Sequence, residues 1–193
     1  MKHPDVVVIG AGVVGASVAW HLARRGVKVT LVDRGHGRGD GSSARATGGF
    51  RTQYGTAINI RLSLLSRAKL RAFREEVGAD PGYVPAGYLW LATSPRDLAA
   101  LREANALQRA EGLAEASVVS NDDIRRLNPA MVDPTVLGGT FCPTDGFIRP
   151  LAIATGYLDG ARALGVETRW DTAISGVERT GEAISAVVSD RGR

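Results

Sequence analysis

Gly10, Gly12 and Gly15, followed 18 positions later by Asp33, are the residues whose types and spacing most directly imply chemistry. Glycine at the first position permits a tight turn, and at the second it lets the backbone approach a pyrophosphate. At the third it lets the next helix pack closely on the preceding strand. The N-terminus of that helix, at Val13 and Val14, offers unpaired N–H groups and a positive dipole end to the phosphates. Asp33 ends a second apolar run, where a carboxylate can accept hydrogen bonds from both ribose hydroxyls. Arg34 hints at a 2′-phosphate partner, but Asp33 in the diol position would repel that phosphate at close range. The pattern suits an ADP moiety and leaves NAD and FAD open.

Other chemistries are poorly represented. One cysteine, Cys142, with three scattered histidines (His3, His21 and His36) makes neither an intrachain disulfide nor a structural zinc site, so no metal is expected. No Ser-His-Asp constellation is visible, and only Lys2, Lys28 and Lys69 are lysines, which disfavours a catalytic lysine. Asp122, Asp123 and Asp145 read as capping and turn residues. The formal charge of +4 comes from basic residues spread beside acidic ones, and aromatics make up 6% of the chain. A solvated surface is expected rather than a nucleic-acid interface. The lone cysteine suits a reducing, cytoplasmic compartment.

These residues need elements to position them. Residues 5–10 and 28–33 are β-branched runs suited to a buried parallel pair, joined by a helix from Val13 to about Arg25 that Gly26 stops. Residues 6–23 carry no formal charge and imitate a membrane span, but the three glycines and the flanking Asp5, Arg24 and Arg25 argue against a span or signal peptide. Residues 35–49 form a long glycine-rich loop. A helix over 57–77 places Ile58, Leu62, Leu65, Ala68, Ala72 and Phe73 on its core face with arginines opposite. A strand within 83–94, a helix over 95–111, a capped helix over 121–127, a strand over 136–143 and a helix over 149–164 follow. The tail reads as short strands.

The glycine-rich opening GAGVVGASVAWHLARRG, the acid of LVDR, the SSARATGGFRTQYG segment with the NIRLS helix after it, GYLWLA and FCPTDGFIRP carry a resemblance along the whole chain. Together they resemble the FAD-dependent amine and amino-acid oxidoreductases of the D-amino-acid oxidase superfamily, especially sarcosine oxidase, sarcosine dehydrogenase and glycine oxidase-like members. The implied fold is α/β: a Rossmann-like FAD-binding domain over residues 1–80 and 146–193, with part of an inserted α+β substrate domain over 81–145.

The resemblance implies non-covalent FAD. Gly10, Gly12, Val13, Val14 and Gly15 would lie at the pyrophosphate, Asp33 and Arg34 at the adenosine ribose, and Ser42, Ser43, Thr47, Gly48 and Gly49 along the phosphate and flavin side. The backbone of Ile174 would meet the adenine. Arg51 would hold a substrate carboxylate through two parallel hydrogen bonds. The implied reaction oxidises the C–N bond of a small amino acid or N-methyl amino acid of the sarcosine, glycine, proline or dimethylglycine type. Hydride passes to flavin and the resulting imine is hydrolysed. The alternatives are a non-catalytic FAD- or ADP-binding subunit and an NAD-dependent dehydrogenase domain. The resemblance allows a hetero- or homo-oligomer. The family pattern continues beyond the final strand-like segment, so a fragment is expected, with further substrate and oxygen-activating residues outside it.

Overall fold

The computed structural model describes residues 3–192. It divides into two compact units. The first holds the described residues through Thr47, Phe73–Pro81 and those from Arg149 onward; the second holds Gly48–Ala72 and Gly82–Ile148. Residues 48–72 thus pack with residues 82–148, whereas the sequence reading places them with the nucleotide-binding segment.

In the first unit, β1 (Val6–Ile9), α1 (Val13–Ala23) and β2 (Val29–Val32) follow the expected order, and β1 pairs parallel to β2 from Val6↔Val29 to Ile9↔Val32. Every residue of β2 is buried, as its central place between β1 and the parallel β8 (Glu167–Arg169) requires. The core is small-residue packing against one large ring: Ala16, Ala19 and Trp20 of α1 meet Leu31 and, from α6 (Pro150–Ala163), Leu158 and Ala161. Gly160 permits the close helix pairing, because a Cβ there would sit 2.8 Å from Trp20 Nε1. An antiparallel hairpin of β9 (Ile174–Thr180) and β10 (Ala183–Ser189) completes the unit. Within the glycine-rich segment, Ser42–Arg45 forms one helical turn, α2, where the sequence suggests only loop.

The second unit contains β3 (Gly49–Phe50) paired with β7 (Gly146–Phe147), and a three-stranded antiparallel sheet. In that sheet β6 (Gly138–Cys142) lies between β4 (Tyr88–Ala92) and β5 (Ser117–Val119). Gly139 is required in β6, since a Cβ there would lie 2.0 Å from the Trp90 carbonyl oxygen. The short strands β3, β5 and β7 escape sequence reading because two or three residues carry no usable alternation. Helix α4 (Pro95–Ala110) starts at Ser94, and α5 (Asn121–Leu127) starts at Ser120 with a full capping box through Asp123.

Helix α3 (Ala57–Val77) has the expected span and buries Phe73 as expected, but its N-terminal half turns a different face to the core. Ile58, Leu62 and Leu65 are 62%, 54% and 58% exposed, while Ile60, Ser63 and Arg67 are buried. Both sets recur at helical spacing, and it is packing, not hydropathy, that selects the second. Arg67 is tolerated there because it pairs with Glu115 at 2.5 Å and also donates to the Thr144 hydroxyl. The arginines of this helix are therefore not uniformly solvated.

Candidate functional site

The β1–α1 turn builds the first site. Gly10 has φ +100°, a left-handed conformation that glycine adopts without strain. A Cβ on Gly15 would fall 1.8 Å from the Gly10 carbonyl oxygen, so no side chain fits at that crossing. Both observations match the steric reasons for the glycine spacing. The N–H of Val13, in the first turn of α1, donates to Ser43 Oγ at 3.1 Å. This bond draws the one-turn α2 to the N-terminus of α1.

Asp33 lies just beyond β2. Its Oδ2 accepts the Ala11 N–H at 2.5 Å and its Oδ1 accepts the Gly35 N–H at 2.7 Å. A carboxylate has roughly four lone-pair sites, so acceptor capacity is left over. The backbone around it is fixed: Thr172 N–H donates to the Asp33 carbonyl at 3.0 Å and Asp171 N–H to the Gly35 carbonyl at 3.0 Å. Asp40 accepts from the His36 and Gly37 N–H groups at 2.6 and 3.2 Å, which curls the loop after Asp33. A cleft of about 550 Å³ opens beside these groups, within the range of small-molecule sites.

Of the residues singled out from sequence, Gly10, Gly12, Asp33, Arg34, Ser43 and Ile174 line this cleft. Val13 and Gly15 support it from the turn, Val14 is 74% exposed, and Ser42 and Thr47 are exposed outside the lining. Gly48, Gly49 and Arg51 belong to the second unit. The cleft also takes Arg38, Leu151, Thr155 and Trp170, which sequence reading passes over. The alternating glycines of GHGRGDG were the available signal for the loop wall; nothing local marks Trp170.

The second unit holds the Arg51 site. Arg51 follows β3, is half-buried, and lays its guanidinium 5.0 Å from the Tyr54 ring centre and 5.3 Å from that of Trp90. Its Nε is buried without a hydrogen-bond partner. Nearby in sequence, Thr52 and Gln53 bond to Asp145, which is fully buried. That corrects the reading of Asp145 as an ordinary turn residue: its carboxyl reaches across 93 positions to a loop in the same unit. Cys142 is also fully buried, and burial pushes its thiol pKa up, so thiolate chemistry is suppressed. Among the described residues no group of three or more His, Cys, Asp or Glu can hold a metal, and no helix is long and apolar enough to cross a membrane.

The glycine crossing, the helix N-terminus and the carboxylate-lined cleft fit the ADP half of a dinucleotide. Comparison with known proteins extends that fit. The chain is 30% identical over 189 residues to a glycine oxidase of Bacillus licheniformis, covering 95% of this chain and 49% of the relative. It is 27% identical over 190 residues to a 4-methylaminobutanoate oxidase (formaldehyde-forming) of Paenarthrobacter nicotinovorans, covering 98% of this chain and 23% of that protein. The crystal structure of L-proline dehydrogenase from P. horikoshii superposes with a TM-score of 0.90 at 25% identity, covering 99% of this chain and 50% of that one. The chain thus spans about half or less of the length of these relatives. The family that the chain matches separates the two dinucleotides that the glycine spacing leaves open. Residues 5–193 match the pattern of the DAO family, FAD dependent oxidoreductase, and the chain belongs to that family.

Proposed function

We propose that this chain carries the FAD-binding cleft and part of the substrate site of an oxidoreductase acting on the C–N bond of a small amino acid or N-methyl amino acid. The observation that carries the reading is the cleft in which Gly10, Gly12, Asp33 and Ser43 converge, in a chain of an FAD family. Glycine, 4-methylaminobutanoate and L-proline, the compounds in the relatives' names, are all amino acids, which supports the substrate class.

Within this reading the first turn of α1 faces the pyrophosphate, and Asp33 uses its remaining lone pairs on the adenosine ribose. The Ser43 hydroxyl accepts from Val13 and keeps its own proton to donate to a phosphate oxygen. Arg34 and Ile174 border the adenosine end of the cleft. When bound, FAD would supply the two-electron acceptor for a hydrogen leaving the carbon beside the substrate nitrogen. The nitrogen loses a proton, and water hydrolyses the imine to a carbonyl compound and an amine. Arg51 holds the carboxylate through paired N–H donors and thereby orients that C–H bond. Its aromatic neighbours lie within cation–π reach and leave the side chain partly dehydrated, which strengthens the pairing.

FAD is held without a covalent bond in this reading, since the one thiol is buried and protonated. The lone buried thiol also supports a reducing cytoplasmic compartment. The test is the visible absorption of the purified chain with added FAD, followed by turnover of sarcosine, glycine, proline and dimethylglycine. Stoichiometric yellow protein with turnover supports the full reading. Flavin without turnover reduces it to a cofactor-binding subunit, and binding of NAD alone overturns it.

A further inference from the structure

We propose that Asp145 is a positioning residue for Arg51, acting through the backbone of Thr52. The inference rests on the reading of Arg51 as the carboxylate-binding group. Asp145 occupies the turn between β6 and β7 and is fully buried. A buried carboxyl group is costly unless its oxygens are bonded. Here the bonds go to one place: Oδ1 accepts the Thr52 N–H at 2.9 Å and the Thr52 hydroxyl at 2.5 Å, and Oδ2 accepts Gln53 Nε2 at 3.4 Å.

The segment that receives them has no ladder of its own. Arg51 to Tyr54 lies between β3 and α3 in irregular backbone, which ordinarily moves more than its flanking elements. Three elements hold it instead. Asp145 binds Thr52, Gln53 Nε2 donates to the Tyr88 carbonyl of β4 at 2.9 Å, and Gln108 Nε2 of α4 donates to the Tyr54 carbonyl at 3.1 Å. The Tyr54 N–H closes a tight turn onto the Thr52 carbonyl at 2.9 Å. A loop tied at three successive residues is over-determined, and the side chain it presents is Arg51, whose buried Nε is left without a protein acceptor. Investment of a buried carboxyl in the residue next to an arginine whose buried Nε has no acceptor is what pre-organised ligand binding requires.

The test uses this chain with FAD present and propanoate as the carboxylate probe. It follows propanoate affinity by calorimetry and the Arg51 Nε–H resonance by NMR, assigned by its loss in Arg51→Lys. Asp145→Ala leaves the Thr52 N–H unpaired. It is expected to move the Arg51 resonance, speed its hydrogen exchange, and weaken propanoate by about tenfold or more, as loss of an oriented charge-assisted contact does. Asp145→Asn keeps one acceptor oxygen for Thr52 and is expected to restore affinity to within about threefold of the parent. If Asp145→Ala does not fold, Thr52→Val, which removes only the hydroxyl bond, takes its place and is expected to shift the same resonance. An unchanged Arg51 resonance in whichever of these two variants folds overturns the proposal. Absence of propanoate binding to the parent chain defeats the carboxylate reading of Arg51 instead, and the resonance still decides the role of Asp145.

Discussion

Single residues carry the sharpest tests because their constraints are steric or involve one counted bond. Gly15→Ala places a methyl group 1.8 Å from the Gly10 carbonyl oxygen. The turn must open, and a loss of about 1–3 kcal/mol is expected in denaturant unfolding, together with weaker FAD binding. Asp33→Ala strips the acceptor from the Ala11 and Gly35 N–H groups and from the proposed ribose contact. It is expected to weaken FAD by about tenfold or more in a fluorescence titration. The glycines and Asp33 are legible in the sequence because their reasons are local: a positive φ, a close crossing, a strand end. Asp145 is not, because PTDG looks the same whether its carboxyl faces water or a loop 93 residues away. The buried Cys142 thiol is expected to resist thiol reagents in the native chain and to react on unfolding, which mass spectrometry after timed labelling reads directly.

Elements are legible where capping and periodicity agree, and ambiguous where a helix offers two candidate faces. The start of α5 belongs to the first kind. Hydrogen bonds from the Ser120 hydroxyl and backbone N–H, with Arg126 beside them, hold the Asp123 carboxyl at about 2, below the ordinary 3.8. A carboxyl depressed by folding stabilises the folded form above its unfolded value, and that contribution fades as pH falls toward the folded value. The α5 cap is therefore expected to be intact above about pH 4 and to loosen between about pH 4 and 2, visible as faster amide exchange over 121–127. Ser120→Ala is expected to cost about 1 kcal/mol at neutral pH. Helix α3 is of the second kind. Its span follows from composition, yet the apolar positions Ile58, Leu62 and Leu65 lie outward while Ser63 and Arg67 lie inward. Only the partners Glu115 and Thr144, nearly 50 and 77 positions away, reveal why the inward face can be polar.

At the scale of the whole molecule, the family was legible because its motifs run the length of the chain in one order, and the match over residues 5–193 agrees. The division into units was less so. Residues 48–72 follow the nucleotide-type segment without a break in composition, and it is long-range packing that assigns them to the second unit. The first unit's cleft is the proposed FAD site. A ligand that binds only the folded form raises stability by about 2.7 kcal/mol at one hundred times its dissociation constant, so FAD is expected to raise the thermal midpoint of that unit. The most direct measurement is a titration of the purified chain with FAD, followed by flavin fluorescence and absorption, beside the same titration of Asp33→Ala. One saturable FAD per chain, weakened by the substitution, is the predicted result. No saturable FAD binding by the folded parent chain, or binding indifferent to Asp33, would contradict it.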